Sequence, residues 1–126
     1  MKNNNNVQLT VTISDPDLDV EELQQTVERL LPQIREVDGV EAADLVISED
    51  APEGSKAVGG FLLGMLTAEV SLANIKKLIN FLGDRLGGKQ IELMVKAKDG
   101  RELSLKAGSQ AEFDYAFQKA QEFLNS

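Results

Sequence analysis

The stretch that decides the fold is Ala51–Val70, APEGSKAVGGFLLGMLTAEV. Its core, Ala57–Ala68, is twelve uncharged residues between Lys56 and Glu69. A run of that length is too short to span a bilayer and suits a buried segment, helical or extended. The helical reading is preferred; in it Gly60 and Gly64, spaced as GxxxG, would let a second helix approach closely in a contact surface. In the alternative, the Gly-rich run is an edge strand and the GxxxG argument lapses.

Working outward, period-2 alternation of Val7, Leu9, Val11 and Ile13 with Gln8, Thr10 and Thr12 predicts a half-buried strand. The preceding MKNNNN (residues 1–6) has no apolar anchor and is expected to be a disordered tail. Asp19 with Glu22 three residues later reads as a capping box. It opens a helix with Val20, Leu23, Val27, Leu30, Leu31 and Ile34 on one face, a kink at Pro32 and an end at Gly39. Val40–Ser48 follows as a second strand with Ala43, Leu45 and Ile47 on one face. Beyond the central stretch, Ser71 is placed to cap a helix carrying Leu72, Ile75, Leu78, Ile79, Leu82 and Leu86, closed by Gly87-Gly88. Ser109 and Glu112 open a last helix with Phe113, Ala116, Phe117, Ala120 and Leu124 inward.

Between those two helices, KQIELMVKAKDGRELSLKA is a hairpin whose register follows from parity. Ile91, Leu93, Val95, Ala97, Leu103 and Leu105 are all odd-numbered. A two-residue Asp99-Gly100 turn would set apolar residues opposite polar ones on the same face. A three-residue loop, Lys98-Asp99-Gly100, pairs 97 with 101, 95 with 103 and 93 with 105, with Gly100 left-handed in a bulge. The outward positions, Gln8, Thr10, Thr12, Gln90, Glu92, Met94, Lys96, Glu102, Ser104 and Lys106, then make one wet sheet face.

The expected architecture is therefore one α+β domain over residues 7–126. It is a two-layer sandwich of order β-α-β-(α)α-β-β-α, with a mixed four-stranded sheet and helices mainly on one face. Four strands about 4.8 Å apart make a sheet roughly 19 Å wide, which two helices about 10 Å apart already cover. A further apolar helix has no place there, so Val58, Gly60, Phe61, Leu62, Gly64, Met65 and Leu66 are the candidate protein-interaction residues, in a surface or a homo-oligomer.

Composition narrows the chemistry. The 126 residues contain no Cys and no His, so thiol nucleophiles, thiolate metal sites and the usual general base are missing. The net charge of −8 is uneven: residues 1–54 carry 3 Lys/Arg against 13 Asp/Glu, and residues 55–126 carry 10 against 8. Neither half suits phosphate neutralisation, and no nucleic-acid partner is expected. Gly54-Ser55-Lys56 has the wrong order and too few glycines for a phosphate loop. Asp15, Asp17 and Asp19 resemble the start of a calcium loop, but positions six and twelve are Val20 and Thr26 rather than Gly and Glu. They are better read as turn and cap residues. No catalytic, cofactor-binding or metal-binding residue is assigned, and no cofactor is expected. With no secretion signal or spanning segment, the expected location is cytoplasmic.

Four segments carry a family likeness: DPDLDVEELQQTVERLL after the first strand, APEGSKA ahead of the apolar run, IKKLINFLGDRLGG before the hairpin, and the closing GSQAEFDYAFQKAQEFL. In these the chain resembles the effector-associated constant component family, small proteins of bacterial conflict systems. It departs from the family pattern at Ala57, where members tend to have Gly, and at Phe81, where many have Trp. The resemblance implies a non-enzymatic adaptor whose partner is a peptidase-like protein or a regulatory NTPase, and it brings no catalytic residues with it. Three other roles stay open. One is a peripheral membrane module laying 57–68 on lipid beside Lys56, Lys76 and Lys77. Another is a self-assembling structural protein, and the third an enzyme working with carboxylates, Ser and Lys alone.

Overall fold

In the computed structural model, which describes residues 6–47, 57–58 and 61–124, the chain is α+β. In chain order the elements are β1 (Asn6–Ile13), α1 (Val20–Ile34), β2 (Val40–Ile47), β3 (Ala57–Val58) and β4 (Phe61–Ser71). A 3-10 turn (Leu72–Asn74) leads into α2 (Ile75–Leu86), followed by β5 (Ile91–Lys96), β6 (Glu102–Ala107) and α3 (Gln110–Leu124). β1 begins at Asn6, one residue before the expected start; residues 1–5 lie outside the described residues.

The main correction concerns the central stretch. Phe61–Ser71 is not a helix but an 11-residue strand, placed inside the sheet between β2 and β1. The sheet therefore has five main strands, not four, in the order β2-β4-β1-β5-β6, with β3 pairing β4 off this path. Every described pairing is antiparallel, so the expected mixed sheet is replaced by an antiparallel one. This segment widens the sheet instead of lying over it, so it needs no place among the covering helices. From Met65 to Val70 its inward residues alternate with outward ones: Leu66, Ala68 and Val70 are buried, and Met65, Thr67 and Glu69 face the other way. That is the period of a strand.

At Gly64 the strand is bulged. Leu45 pairs with Leu66 but Ile47 pairs with Phe61, so four residues of β4 face one of β2. Gly64 has φ +68°, which side-chain-bearing residues rarely adopt. Its N–H donates to Gln24 Oε1 on α1 at 3.4 Å, and a side chain at this position would meet the Ile13 carbonyl and Leu23. The bulge thus seats the strand against α1.

Ser71 does not cap α2: it ends β4 and makes no side-chain capping bond to the 3-10 turn that follows. Several other local expectations hold more directly. Asp19 accepts from the Glu22 N–H at 2.8 Å and Glu22 accepts from the Asp19 N–H at 3.1 Å, the reciprocal cap. α1 runs through the exposed Pro32 as one helix but stops at Ile34, five residues before Gly39. Short bonds from Glu36 to Gln33 and from Val37 to Ile34 finish it, tightening the turn that leads into β2. Leu93 pairs with Leu105 and Val95 with Leu103, while the Ala97 N–H donates to the Arg101 carbonyl. With Gly100 at φ +94°, this is the three-residue loop that parity demands.

The three described helices pack on one side of the sheet. Val27, Leu30, Leu31 and Ile34 of α1, Leu78, Ile79 and Leu82 of α2, and Phe113, Ala116 and Ala120 of α3 share one core with the inward residues of the sheet. At its centre is β1, whose Leu9 and Val11 are essentially without solvent contact. Among the described residues, no helix lies on the sheet's second face.

Candidate interaction surface

Strand register assembles this bare face into three rows. The first runs Ala42, Glu69, Gln8, Lys96, Glu102; the second Asp44, Thr67, Thr10, Met94, Ser104; the third Met65, Thr12, Glu92, Lys106. None of these side chains is buried. Gln8 Nε2 donates to Thr67 Oγ1 at 2.9 Å, tying β1 to β4 across the first two rows. Between β1, β4 and β2 the surface dips into a depression of about 310 Å³ lined in part by Gln8, Asp44, Thr67 and Glu69.

Charge is arranged by strand. On β5 and β6 acid and base alternate both along and across the ladder, with Lys96 facing Glu102 and Glu92 facing Lys106. Opposite-charge cross-strand pairs of this kind stabilise by about 0.2–1 kcal/mol each. Toward β2 the face turns acidic, with Glu69 and Asp44. Met94, 37% exposed, and half-buried Met65 are its apolar members. Methionine adapts its shape to what it meets.

Of the seven sequence-derived candidate residues, Gly64, Met65 and Leu66 are described in full, and they do not share one surface. Val58 and Phe61 are paired in the backbone of the β3–β4 hairpin, as are Ala57 and Leu62. The side chains of Val58, Phe61 and Leu62, and Gly60 altogether, lie outside the described residues, as do residues 51–56. Gly64 is buried at the bulge and Leu66 is 0% exposed in the core, while Met65 between them reaches the open face. Because neighbours in a strand point to opposite sides, Met65 and Leu66 cannot serve the same surface.

The acidic cluster after β1 is occupied with the backbone. Asp15 accepts from the Asp17 N–H at 2.9 Å and from the Gln90 N–H at 3.3 Å, and Asp19 caps α1. At the hairpin tip, the Arg101 N–H donates to Asp99 Oδ1 at 3.1 Å and its guanidinium reaches Asp99 Oδ2 at 2.8 Å. The N–H bond first, and the guanidinium beside it, hold the Asp99 carboxyl below its usual 3.8. Among the described residues no helix is long and apolar enough to cross a membrane. Two features were missed as candidates in the sequence: the charge alternation of ELMVK and ELSLK, which was visible there, and the guarding of one sheet edge, which was not.

Compared with known proteins, the chain matches no family model, no curated protein and no solved structure.

Proposed function

We propose that this protein is a non-enzymatic adaptor of a bacterial conflict system, which binds a peptidase-like or NTPase effector through the open face of its sheet. The observation that carries the reading is that face itself: two ordered rows across five strands and a third across four, none of their side chains buried, opposite the layer that holds the three described helices. A rigid antiparallel platform with adaptable Met94 and Met65 among Thr and charged residues suits a protein contact with a soft centre and a polar rim. The class of partner comes from the family resemblance. A chain without His or Cys fits a role in which binding, not turnover, is the output.

The test is capture from a native bacterial lysate with the tagged chain, in parallel with Met94→Glu. Met94 is on the outward face, so the substitution leaves the core untouched. Recovery of a peptidase-like or NTPase chain by the parent, reduced at least about tenfold by Met94→Glu, supports the assignment. Equal recovery by both chains removes the open face as the binding site. Binding of the purified protein to anionic liposomes at low salt would favour the membrane role instead, and turnover abolished by a single carboxylate substitution would overturn the non-enzymatic reading.

A further inference from the structure

The two edges of the sheet are not alike. At β2, Arg35 of α1 guards the edge: its Nε donates to the Ala43 carbonyl at 2.9 Å and its Nη2 lies 3.2 Å from Asp44 Oδ1. The charged residues of β2, Glu41 and Asp44, are both acidic, so pairing with a second β2 would set negative charge against negative or neutral residues only. At the other edge, β6 has β5 on one side and no further described strand on the other.

Which groups β6 presents outward follows from the hairpin. The Ala97 N–H donates to the Arg101 carbonyl, so residue 101 turns its carbonyl toward β5, and antiparallel residues alternate from there. Leu103 and Leu105 continue the inward set. The N–H and C=O of Glu102, Ser104 and Lys106 point out of the sheet, a row of unpaired groups of the kind that templates another strand.

We propose that β6 is a self-pairing edge, at which two copies of this chain join antiparallel about a two-fold axis at Ser104. In that register Ser104 meets Ser104 of the second copy and Glu102 meets Lys106 twice, all through outward-pointing backbone groups. Leu103 meets Leu105 on the helix side, where both are half-buried. The charge order Lys96, Glu102 then continues into the second copy as Lys106, Glu92, unbroken alternation across the junction. An axis at Glu102 or Lys106 would oppose like charges, and an axis at Leu103 or Leu105 shortens the overlap and loses the charge match. Ser104 is the centre that satisfies both. The inference does not depend on the adaptor reading.

The strand has 6 residues, so the contact is smaller than the about 1,200 Å² of a stable interface and the dimer is weak. Sedimentation equilibrium from about 10 µM to about 1 mM should therefore show the mass rising from 13.7 kDa toward twice that value. Glu102→Lys and Lys106→Glu, made separately, should each weaken the dimer at least about tenfold, since both inter-copy pairs become repulsive. An equimolar mixture of the two variants should dimerise again, because every junction pair is then opposite in charge. Amide exchange in the parent should slow with concentration at Glu102, Ser104 and Lys106 but not at Leu103 and Leu105. A parent that stays at 13.7 kDa throughout, reversal variants that associate like the parent, or a mixture that fails to recover would each overturn the proposal.

Discussion

At the residue scale the acidic side chains do structural work through backbone amides, and Asp99 shows how such a role is read out. Its carboxylate receives the Arg101 N–H and guanidinium at the hairpin tip, and its pKa is lowered in the folded protein. A carboxyl with a depressed folded pKa adds stability that is present above its unfolded value and is lost as pH falls through the folded one. An NMR titration should place the Asp99 midpoint below 3.8, and Arg101→Ala should bring it only part of the way back, because the backbone N–H of residue 101 is kept. A full return to 3.8 would show that the guanidinium alone sets it. The same economy explains Asp15 and Asp19: their spacing suggested calcium, while their oxygens are taken up by Asp17, Gln90 and Glu22 N–H groups.

At the scale of an element, β4 was the hard case, and the reason is local. Between Phe61 and Met65 the apolar residues are consecutive, because the bulge at Gly64 breaks the parity of the strand. Past the bulge the period is plain in MLTAEV. Leu66 is fully buried and its neighbour Met65 reaches the open face. Urea melting should therefore show a loss of about 2–5 kcal/mol for Leu66→Ala and less than about 1 kcal/mol for Met65→Ala. Equal losses would mean that both side chains are enclosed. The hairpin β5–β6 and the capped helices were readable because each is specified by contacts within a few residues: a parity rule, a left-handed glycine, a carboxylate three residues from its partner.

On the scale of the whole molecule, one core joins three helices to a sheet whose central strand is the first in the chain. Leu9 lies at that centre with no solvent exposure. Leu9→Ala should cost about 2–5 kcal/mol. It should lower amide protection in α1, α2 and α3 by the same amount, as expected of a domain that opens as one unit. Loss confined to one helix would instead divide the molecule into independent parts. The strand order also separates charge: the acidic first half of the sequence supplies α1 and the β2 edge, and the mildly basic second half supplies the β6 edge.

Taken alone, the order of residues determined what is local: the period of β1, the caps of α1 and α3, the register of β5–β6, the polar face, and a composition with neither His nor Cys. It could not determine where Phe61–Ser71 goes, because an apolar run is satisfied equally by burial in a helix or in a strand. The choice depends on partners 53 to 65 residues away in β1, such as Val11 opposite Leu66 and Val7 opposite Val70. Only the tertiary structure supplied those partners. It also decided which edge is closed, since the Arg35 side chain reaches the Ala43 carbonyl only after α1 has folded back beside β2.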